Sequence, residues 1–221
     1  SALKAEKKSS RVAADGILVM AVTDTYATIV ELNSETDFAA KDSNFLAYSE
    51  KVKSFITENK VDDVEAFVGS SLEDDRKALV QTIGENIQLR RVETIDYSSD
   101  MNIGMYLHSD SKLGSIVAVN NGSDQIAKDI AMHVSAFNPL CLSKEDIDQD
   151  ILERERVIYQ NQAKESGKPE EIMEKMVEGK INRYLSEVSL LSQSFVKDPD
   201  ISVADYLEKD NASIAAYVRL K

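Results

Sequence analysis

One fifteen-residue pattern occurs twice in this chain of 221 residues, and it constrains the fold more than any other feature. The first copy, TIVELNSETDFAAKD, occupies residues 28–42, and the second, SIVAVNNGSDQIAKD, occupies residues 115–129. Aligned without gaps, they share seven identical residues in fifteen positions. Each copy combines an apolar β-branched run, a polar turn and a helix start, so we interpret them as a duplicated strand–turn–helix unit. The alternative is a chance similarity between turns of related chemistry.

Apolar patterning predicts further elements around each copy. Residues 17–23 and 26–32 predict a hairpin. A single helix is predicted after it, from Asp37 to about residue 57. Around the second copy, residues 102–108 and 114–120 predict another hairpin, followed by a helix that ends before Pro139. Residues 61–68 and 72–84 predict two shorter helices, and residues 86–96 predict a strand. Residues 213–220 predict a closing strand that rejoins the second copy.

The alignment of the two copies explains the residues that begin each helix. Thr36 and Ser123 both suit an N-cap, where a hydroxyl accepts a backbone N–H. Asp37 occupies the first turn, where a carboxylate meets the positive end of the helix dipole. Phe38 aligns with Gln125, so the repeated unit does not require an aromatic residue there.

Two interpretations of Phe38 therefore stay open at this point. Periodicity favours a core position, because Phe38 shares a helical stripe with Phe45, Val52 and Ile56. The comparison with Gln125 favours an exposed side chain presented to a partner.

The chain changes character from residue 144 onward. Two charged, breaker-poor helical segments flank SGKPEE, residues 166–171, in which Gly167 suits a helix end and Pro169 a helix start. So short a connection predicts an antiparallel helical hairpin. We expect it to project and to offer an interaction surface, although a pair packed into the core is the alternative. One side would be lined by Ile172, Met176, Ile181, Leu185 and Val188.

Charge and cysteine content exclude several classes of protein. A net charge of −13 argues against nucleic acid as a direct partner and against binding to anionic membranes. No apolar run approaches the roughly 20 residues of a membrane-spanning helix. The single cysteine, Cys141, excludes an intramolecular disulfide framework and a cysteine-built zinc site. A reducing, cytoplasmic setting fits this composition best.

The search for chemistry yields no catalytic pattern. His108 and His133 are not at metal-ligand spacing, and no glycine-rich phosphate loop is present. His133 lies in an apolar helix and is expected to be a core histidine, and Cys141 is expected to be structural. We therefore predict a binding protein rather than an enzyme, with no catalytic residue, metal or cofactor. A carboxylate-based hydrolase is the alternative, and no motif supports it.

Five motifs occur in an order and spacing that resemble bacterial elongation factor Ts over nearly the whole chain: VAADG, ELNSETDF, TIGENIQLRR, IAMHVSA and SGKPEEIMEKMVEGKINRYLSEVSLLSQSFVKDP. That family is the guanine nucleotide exchange factor for the GTPase elongation factor Tu. The resemblance implies an α+β fold with two related subdomains, each a small antiparallel sheet packed with helices, plus a projecting antiparallel helical hairpin. It implies a core subdomain N over residues 1–100, a core subdomain C over residues 101–143 and 196–221, and the hairpin over residues 144–195.

The resemblance also implies roles for individual residues. In the family, the aspartate and phenylalanine of TDF insert between two helices of the GTPase domain and disturb the Mg²⁺ and phosphate end of the nucleotide site. These roles fall on Asp37 and Phe38, with Thr36 alongside, so the resemblance favours the exposed interpretation of Phe38. Further partner contacts fall on Ile83, Gly84 and His108. Dimerisation through the hairpin falls on Ile172, Met176, Ile181 and Leu185.

The implied function is exchange of guanine nucleotide on elongation factor Tu, in its GDP-bound and nucleotide-free forms, during translation elongation. The alternative is a non-catalytic, dimerising scaffold that binds elongation factor Tu, for example in a phage replicase complex. A homodimer is expected from the hairpin. The family's N-terminal helical domain and C-terminal helix are not matched, and we expect their absence to weaken partner contacts.

Overall fold

A computed structural model describes residues 8–221 of the chain. The chain divides into two compact units. Among the described residues, the first unit contains residues 8–135 together with Ala212–Lys221, and the second is Ala136–Asn211. Both three-stranded sheets belong to the first unit and the helical hairpin belongs to the second. The finer division into two core subdomains stays a prediction.

The first sheet of the first unit contains three antiparallel strands, β1 (Asp15–Val22), β2 (Tyr26–Ser34) and β3 (Gln88–Asp96). Strand β2 is central, and every one of its residues is buried. Its apolar residues occur on both faces because each face packs against other elements. The predicted hairpin of β1 and β2 is therefore confirmed.

Helices follow β2 and precede β3. They are α1 (Asp37–Ala40), α2 (Ser43–Glu58) and α3 (Ser71–Ile83), with a 3₁₀ turn at Val64–Phe67. The expectation of one continuous helix from Asp37 is wrong. Asp42 starts a new helix, because its carboxylate accepts a hydrogen bond from the Asn44 N–H at 2.8 Å. Two helices, separated by the extended residue Asp42, thus replace the predicted single helix.

The second sheet contains β4 (Met101–Leu107), β5 (Gly114–Asn120) and β8 (Ser213–Leu220), with β5 in the centre. All its pairings are antiparallel, and the closing strand joins it as predicted. Helix α4 (Asp124–Phe137) follows β5 and has the predicted bounds. Both copies of the repeated pattern thus run from a central strand through a turn into a helix, and the α+β fold class is confirmed.

The core of the first unit lies in two layers. One layer lies between the first sheet and its helices, and its fully buried members include Phe45, Val52, Ile56 and Ile87. The other lies between the two sheets, where Leu18, Met20 and Ile29 pack with Ile116, Ala118 and Leu220. The turn that follows β2 is therefore attached to a strand held on both faces.

The second unit contains the hairpin of α5 (Gln149–Glu165) and α6 (Glu170–Val188). Ala163, Val177 and Ile181 form its buried seam, and partly buried side chains flank them: Leu152, Tyr159, Met173 and Leu185. The short strands β6 (Ser194–Phe195) and β7 (Asp198–Ser202) and the helix α7 (Val203–Glu208) complete this unit. The antiparallel hairpin predicted from the SGKPEE connection is confirmed.

An ion pair at the start of α3 links stability to pH. Glu73 receives hydrogen bonds from the Arg76 guanidinium at 2.7 and 2.9 Å, and these bonds hold the pKa of the Glu73 carboxyl below its usual range. A lowered pKa means that Glu73 stabilises the fold above its unfolded-state pKa, and that this contribution is lost as pH falls through the folded value.

We expect Glu73→Gln to lower the free energy of unfolding by about 1 kcal/mol at neutral pH, and by less as the pH is lowered into the acid range. Urea unfolding of both proteins across this pH range measures the difference. Glu58→Gln, at an exposed carboxylate, is the control. A stability loss that stays constant at acid pH would contradict the assignment.

Candidate functional site

The candidate site is centred on the turn between β2 and α1. Thr36 is the N-cap of α1, and its hydroxyl accepts a hydrogen bond from the Ala39 N–H at 3.3 Å. Asp37 lies in the first helical turn and forms an ion pair with Lys41, with 3.0 Å between Oδ2 and Nζ. Both residues occupy the positions predicted from the repeated pattern.

Phe38 lies at the tip of this turn with its side chain in solvent. It is 82% exposed, whereas Phe45, Val52 and Ile56 are fully buried. The interpretation of Phe38 as the first residue of a core stripe is therefore wrong. The stripe begins at Phe45, because the extended residue Asp42 separates α1 from α2 and the helical period does not continue across the break.

A second segment, residues 83–86, packs beside this turn. The Glu85 carboxylate accepts hydrogen bonds from the Glu35 and Thr36 N–H groups, at 3.1 and 3.0 Å, and from the Thr36 hydroxyl at 2.7 Å. In return, the Glu35 carboxylate accepts a bond from the Asn86 N–H at 2.7 Å. We call this exchange of hydrogen bonds between residues 35–36 and 85–86 the carboxylate clamp.

Ile83 and Gly84 end the helix that leads into the clamp. Ile83 is partly buried and packs against the core below the first sheet. Gly84 is the C-cap, with a left-handed φ of 86°, and its N–H donates to the Val80 carbonyl at 2.9 Å. Glycine adopts this conformation without the steric cost that other residues incur, so the chain can turn directly from α3 to Glu85.

His108 lies in the turn between β4 and β5. Its Nδ1 lies 3.0 Å from the Asp110 carboxylate, and the same turn is tied to β1 by the Leu18 N–H, which donates to the Ser111 carbonyl at 2.6 Å. Lys112 of this turn forms an ion pair with Asp15 at 2.7 Å.

The turn of His108 lies close to the strand end that precedes the turn of Phe38. The pKa of Lys112 is raised, mainly by its hydrogen bond with Asp15, and the charge of Asp37 adds to the effect. Asp15 pairs with Ser34, the last residue of β2, so the ion pair of Asp15 with Lys112 places the His108 turn next to the strand end from which the Phe38 turn begins. The hydrogen bonds of Glu85 join the segment of Thr36, Asp37 and Phe38 to the segment that ends at Ile83 and Gly84, and together the two segments form one edge of the first unit.

The residues predicted for dimerisation have different environments. Ile172 is 45% exposed and Met176 is half-buried, so both present apolar surface. Ile181 is buried inside the hairpin, and Leu185 packs against the same seam. Sequence periodicity placed all four residues on one side of the helix. In the structure, Ile181 and Leu185 pack between α5 and α6 inside the hairpin. Their role in dimerisation stays a prediction.

The described residues contain no metal-binding arrangement and no membrane span. Within residues 8–221, no group of three or more His, Cys, Asp or Glu side chains is placed to hold a metal ion. In the same range, no helix combines the length and apolar character needed to cross a bilayer. His133 and Cys141 are both buried, as expected for core residues.

Sequence reasoning missed the residues that support the turn, above all Glu35 and Glu85. Carboxylates at these positions look like ordinary surface residues, because their partners are backbone groups far away in the chain. The local signal was a glutamate directly after a helix-ending glycine, in the segment TIGEN.

The fold and this edge define an α+β protein in which a strand–turn–helix unit occurs twice and one of the two turns, held by the clamp, presents an exposed aromatic residue. The family described as Elongation factor TS matches residues 35–221. The elongation factor Ts of Hahella chejuensis is 48% identical over 221 residues, which cover 99% of this chain and 76% of that protein. Those of Legionella pneumophila (strain Paris) and Hydrogenovibrio crunogenus are 45% and 42% identical, and each alignment covers 98% of this chain and 76% of the relative.

The chain belongs to the elongation factor Ts family. Its class is therefore that of the translation elongation factors, and the fold expected from the resemblance agrees with the observed sheets and hairpin.

Proposed function

We propose that this chain is a guanine nucleotide exchange factor for elongation factor Tu. In this proposal, the Asp37–Phe38 turn inserts into the GTPase domain and disturbs the Mg²⁺ and phosphate end of the nucleotide site. The observation that carries it is the 82% exposure of Phe38 on a turn whose backbone is held by Glu85. Thr36, Ile83, Gly84 and His108 supply neighbouring contacts.

An exposed phenylalanine on a held turn has the physical character of an interface anchor. Its apolar surface is in water in the free protein, and burial in a partner pocket removes that cost. Because the turn is already ordered, binding loses little further conformational entropy. Asp37 adds a negative charge at the tip, which would compete with the phosphates for the cationic groups of a nucleotide site.

Exchange then follows from thermodynamic linkage. A protein that binds the nucleotide-free state better than the GDP-bound state lowers nucleotide affinity by the same factor. No covalent chemistry of this chain is required, so the proposal includes no enzyme activity and no cofactor. We propose elongation factor Tu as the partner and the cytoplasm as the location. Because the chain carries a net charge of −13, the proposal includes no direct contact with nucleic acid or with a membrane.

Stopped-flow release of a fluorescent GDP from elongation factor Tu tests this proposal. We expect the release rate to rise with the concentration of the chain and to saturate. Tight binding without faster release would instead support the non-catalytic scaffold, such as a replicase subunit. Absence of binding would contradict both functions.

A second proposal concerns the hairpin, which we infer to be a dimerisation module. Val157, Ile158 and Ile172 are large apolar side chains that are nearly half exposed on its helices. We propose that these side chains form part of the surface through which two chains associate. The predicted dimer would bury Ile172 and Met176, which lie one helical turn apart on α6.

We expect Ile172→Asp to weaken self-association about tenfold or more, because a charge would replace a buried apolar contact. Sedimentation equilibrium over a range of concentrations measures the dissociation constant. Val68→Asp, at a side chain that is 67% exposed in the first unit, is the matched control and should leave association unchanged. A wild-type chain that stays monomeric at every concentration would overturn this proposal.

A further inference from the structure

We infer that Glu85 is a positioning residue that holds the Asp37–Phe38 turn in the orientation in which it meets its partner. This inference rests on the proposed exchange function. Glu85 itself need not touch the partner, because its carboxylate bonds the two residues that directly precede Asp37. The clamp therefore acts at the base of the tip.

The geometry of the clamp ties the tip to a rigid part of the first unit. One Glu85 oxygen accepts the N–H groups of Glu35 and Thr36, and the other accepts the Thr36 hydroxyl. Glu85 follows Gly84, the C-cap of α3, and the neighbouring Ile87 is fully buried. Hydrogen bonds to an ionised carboxylate are among the stronger ones in proteins. The hydrogen bonds of Glu85 thus fix the position of the tip relative to α3 and to the core.

The clamp contains hydrogen bonds that do not involve Glu85, so the effect of losing the Glu85 carboxylate can be separated from a loss of folding. Glu35 accepts the Asn86 N–H, and the Asn86 amide donates to the Arg11 carbonyl at 2.7 Å. Arg11 also approaches the Glu35 carboxylate at 3.7 Å. Because none of these bonds involves the Glu85 side chain, we expect the two segments to stay associated when that side chain is removed, while the base of the tip loses its acceptor.

The tip needs this support because α1 is short. A helix of four residues, Asp37–Ala40, does not maintain its own conformation in water. Its buried residues, Ala39 and Ala40, fix its far end. Its near end is fixed through Thr36, whose hydroxyl both caps the helix and donates to Glu85. Without Glu85, the orientation of Asp37 and Phe38 would vary.

The first test measures order in the free protein by amide hydrogen exchange. In Glu85→Ala we expect the amides of Glu35 and Thr36 to exchange about tenfold faster or more, since each loses its acceptor. Glu85→Gln keeps an amide oxygen as acceptor and should show a smaller change. Unchanged exchange at both amides in Glu85→Ala would overturn the inference, whatever the partner does.

The second test is a double-mutant cycle on GDP release from elongation factor Tu. Glu85→Ala should reduce the maximal acceleration about tenfold, with Phe38→Ala reducing it more and the double variant resembling Phe38→Ala alone. This pattern shows that Glu85 acts through Phe38. Effects that multiply independently, or unchanged release by Glu85→Ala, would overturn the inference.

Controls separate positioning from stability and from the proposed function. Asp205→Ala removes a carboxylate that accepts the Ser202 N–H in the second unit, so it is chemically matched and should leave GDP release unchanged. Thr36→Ser keeps the hydroxyl and should retain activity that Thr36→Val loses. If the wild-type chain does not accelerate release, the proposed function fails, while amide exchange still decides the positioning role.

Discussion

Phe38→Ala is expected to reduce the maximal acceleration of GDP release from elongation factor Tu at least about thirtyfold, which corresponds to about 2 kcal/mol of lost interaction. The side chain is 82% exposed, so its burial occurs only on binding. Truncation removes the aromatic anchor from the partner pocket and leaves the pocket unfilled. Stopped-flow measurement over a range of chain concentrations gives both the maximal rate and the half-saturating concentration.

The same substitution should leave the fold intact. The core below the first sheet does not include Phe38, and Thr36 and Glu85 hold the turn without it. The free energy of unfolding should therefore stay within about 0.5 kcal/mol of the wild type. Val68→Ala removes a comparably exposed apolar side chain elsewhere in the first unit and should not affect release. Full exchange activity in Phe38→Ala would refute its role as the anchor.

Asp37→Ala refines the interpretation of that result. It removes the tip charge and the ion pair with Lys41 but keeps the aromatic ring. If both the charge and the ring act on the nucleotide site, this variant will retain partner binding better than Phe38→Ala while it loses part of the acceleration.

Gly104→Ala is expected to destabilise the first unit by at least about 3 kcal/mol. A Cβ at this position in β4 would lie 1.9 Å from the Ala127 carbonyl oxygen and 2.5 Å from the Lys128 nitrogen. These are backbone atoms of α4, so no side-chain rotation relieves the overlap. The helix would have to move away from the sheet and would open the surrounding core. Urea unfolding followed by circular dichroism measures the loss.

Gly179→Ala is the contrasting substitution. Gly179 lies in α6, and beyond its chain neighbours and its own helical backbone no described atom lies within 4 Å of its hypothetical Cβ. Because glycine costs helix stability, this change should stabilise the second unit by about 0.5–1 kcal/mol.

A stability loss below about 1 kcal/mol in Gly104→Ala would mean that α4 and β4 tolerate separation, and would contradict the packing argument.

The elements of this fold could be predicted because they depend on local patterning. A run of β-branched and apolar residues predicted the strand around Tyr26–Leu32, alternation predicted the strand at residues 86–96, and the repeat predicted that both copies place a helix after a strand. Glycine and proline in SGKPEE predicted the hairpin. The break between α1 and α2 was missed, because the cap at Asp42 lies inside an otherwise uniform helical pattern.

For the candidate site, the sequence alone determined which residues are chemically available: a capping threonine, an acidic first turn and an aromatic residue that the repeat does not require. Only the tertiary structure decided that Phe38 is in solvent, that Ile181 is inside the hairpin and that Glu85 holds the turn. Exposure and clamping depend on contacts between segments about 50 residues apart, and such contacts have no periodic signature in the chain.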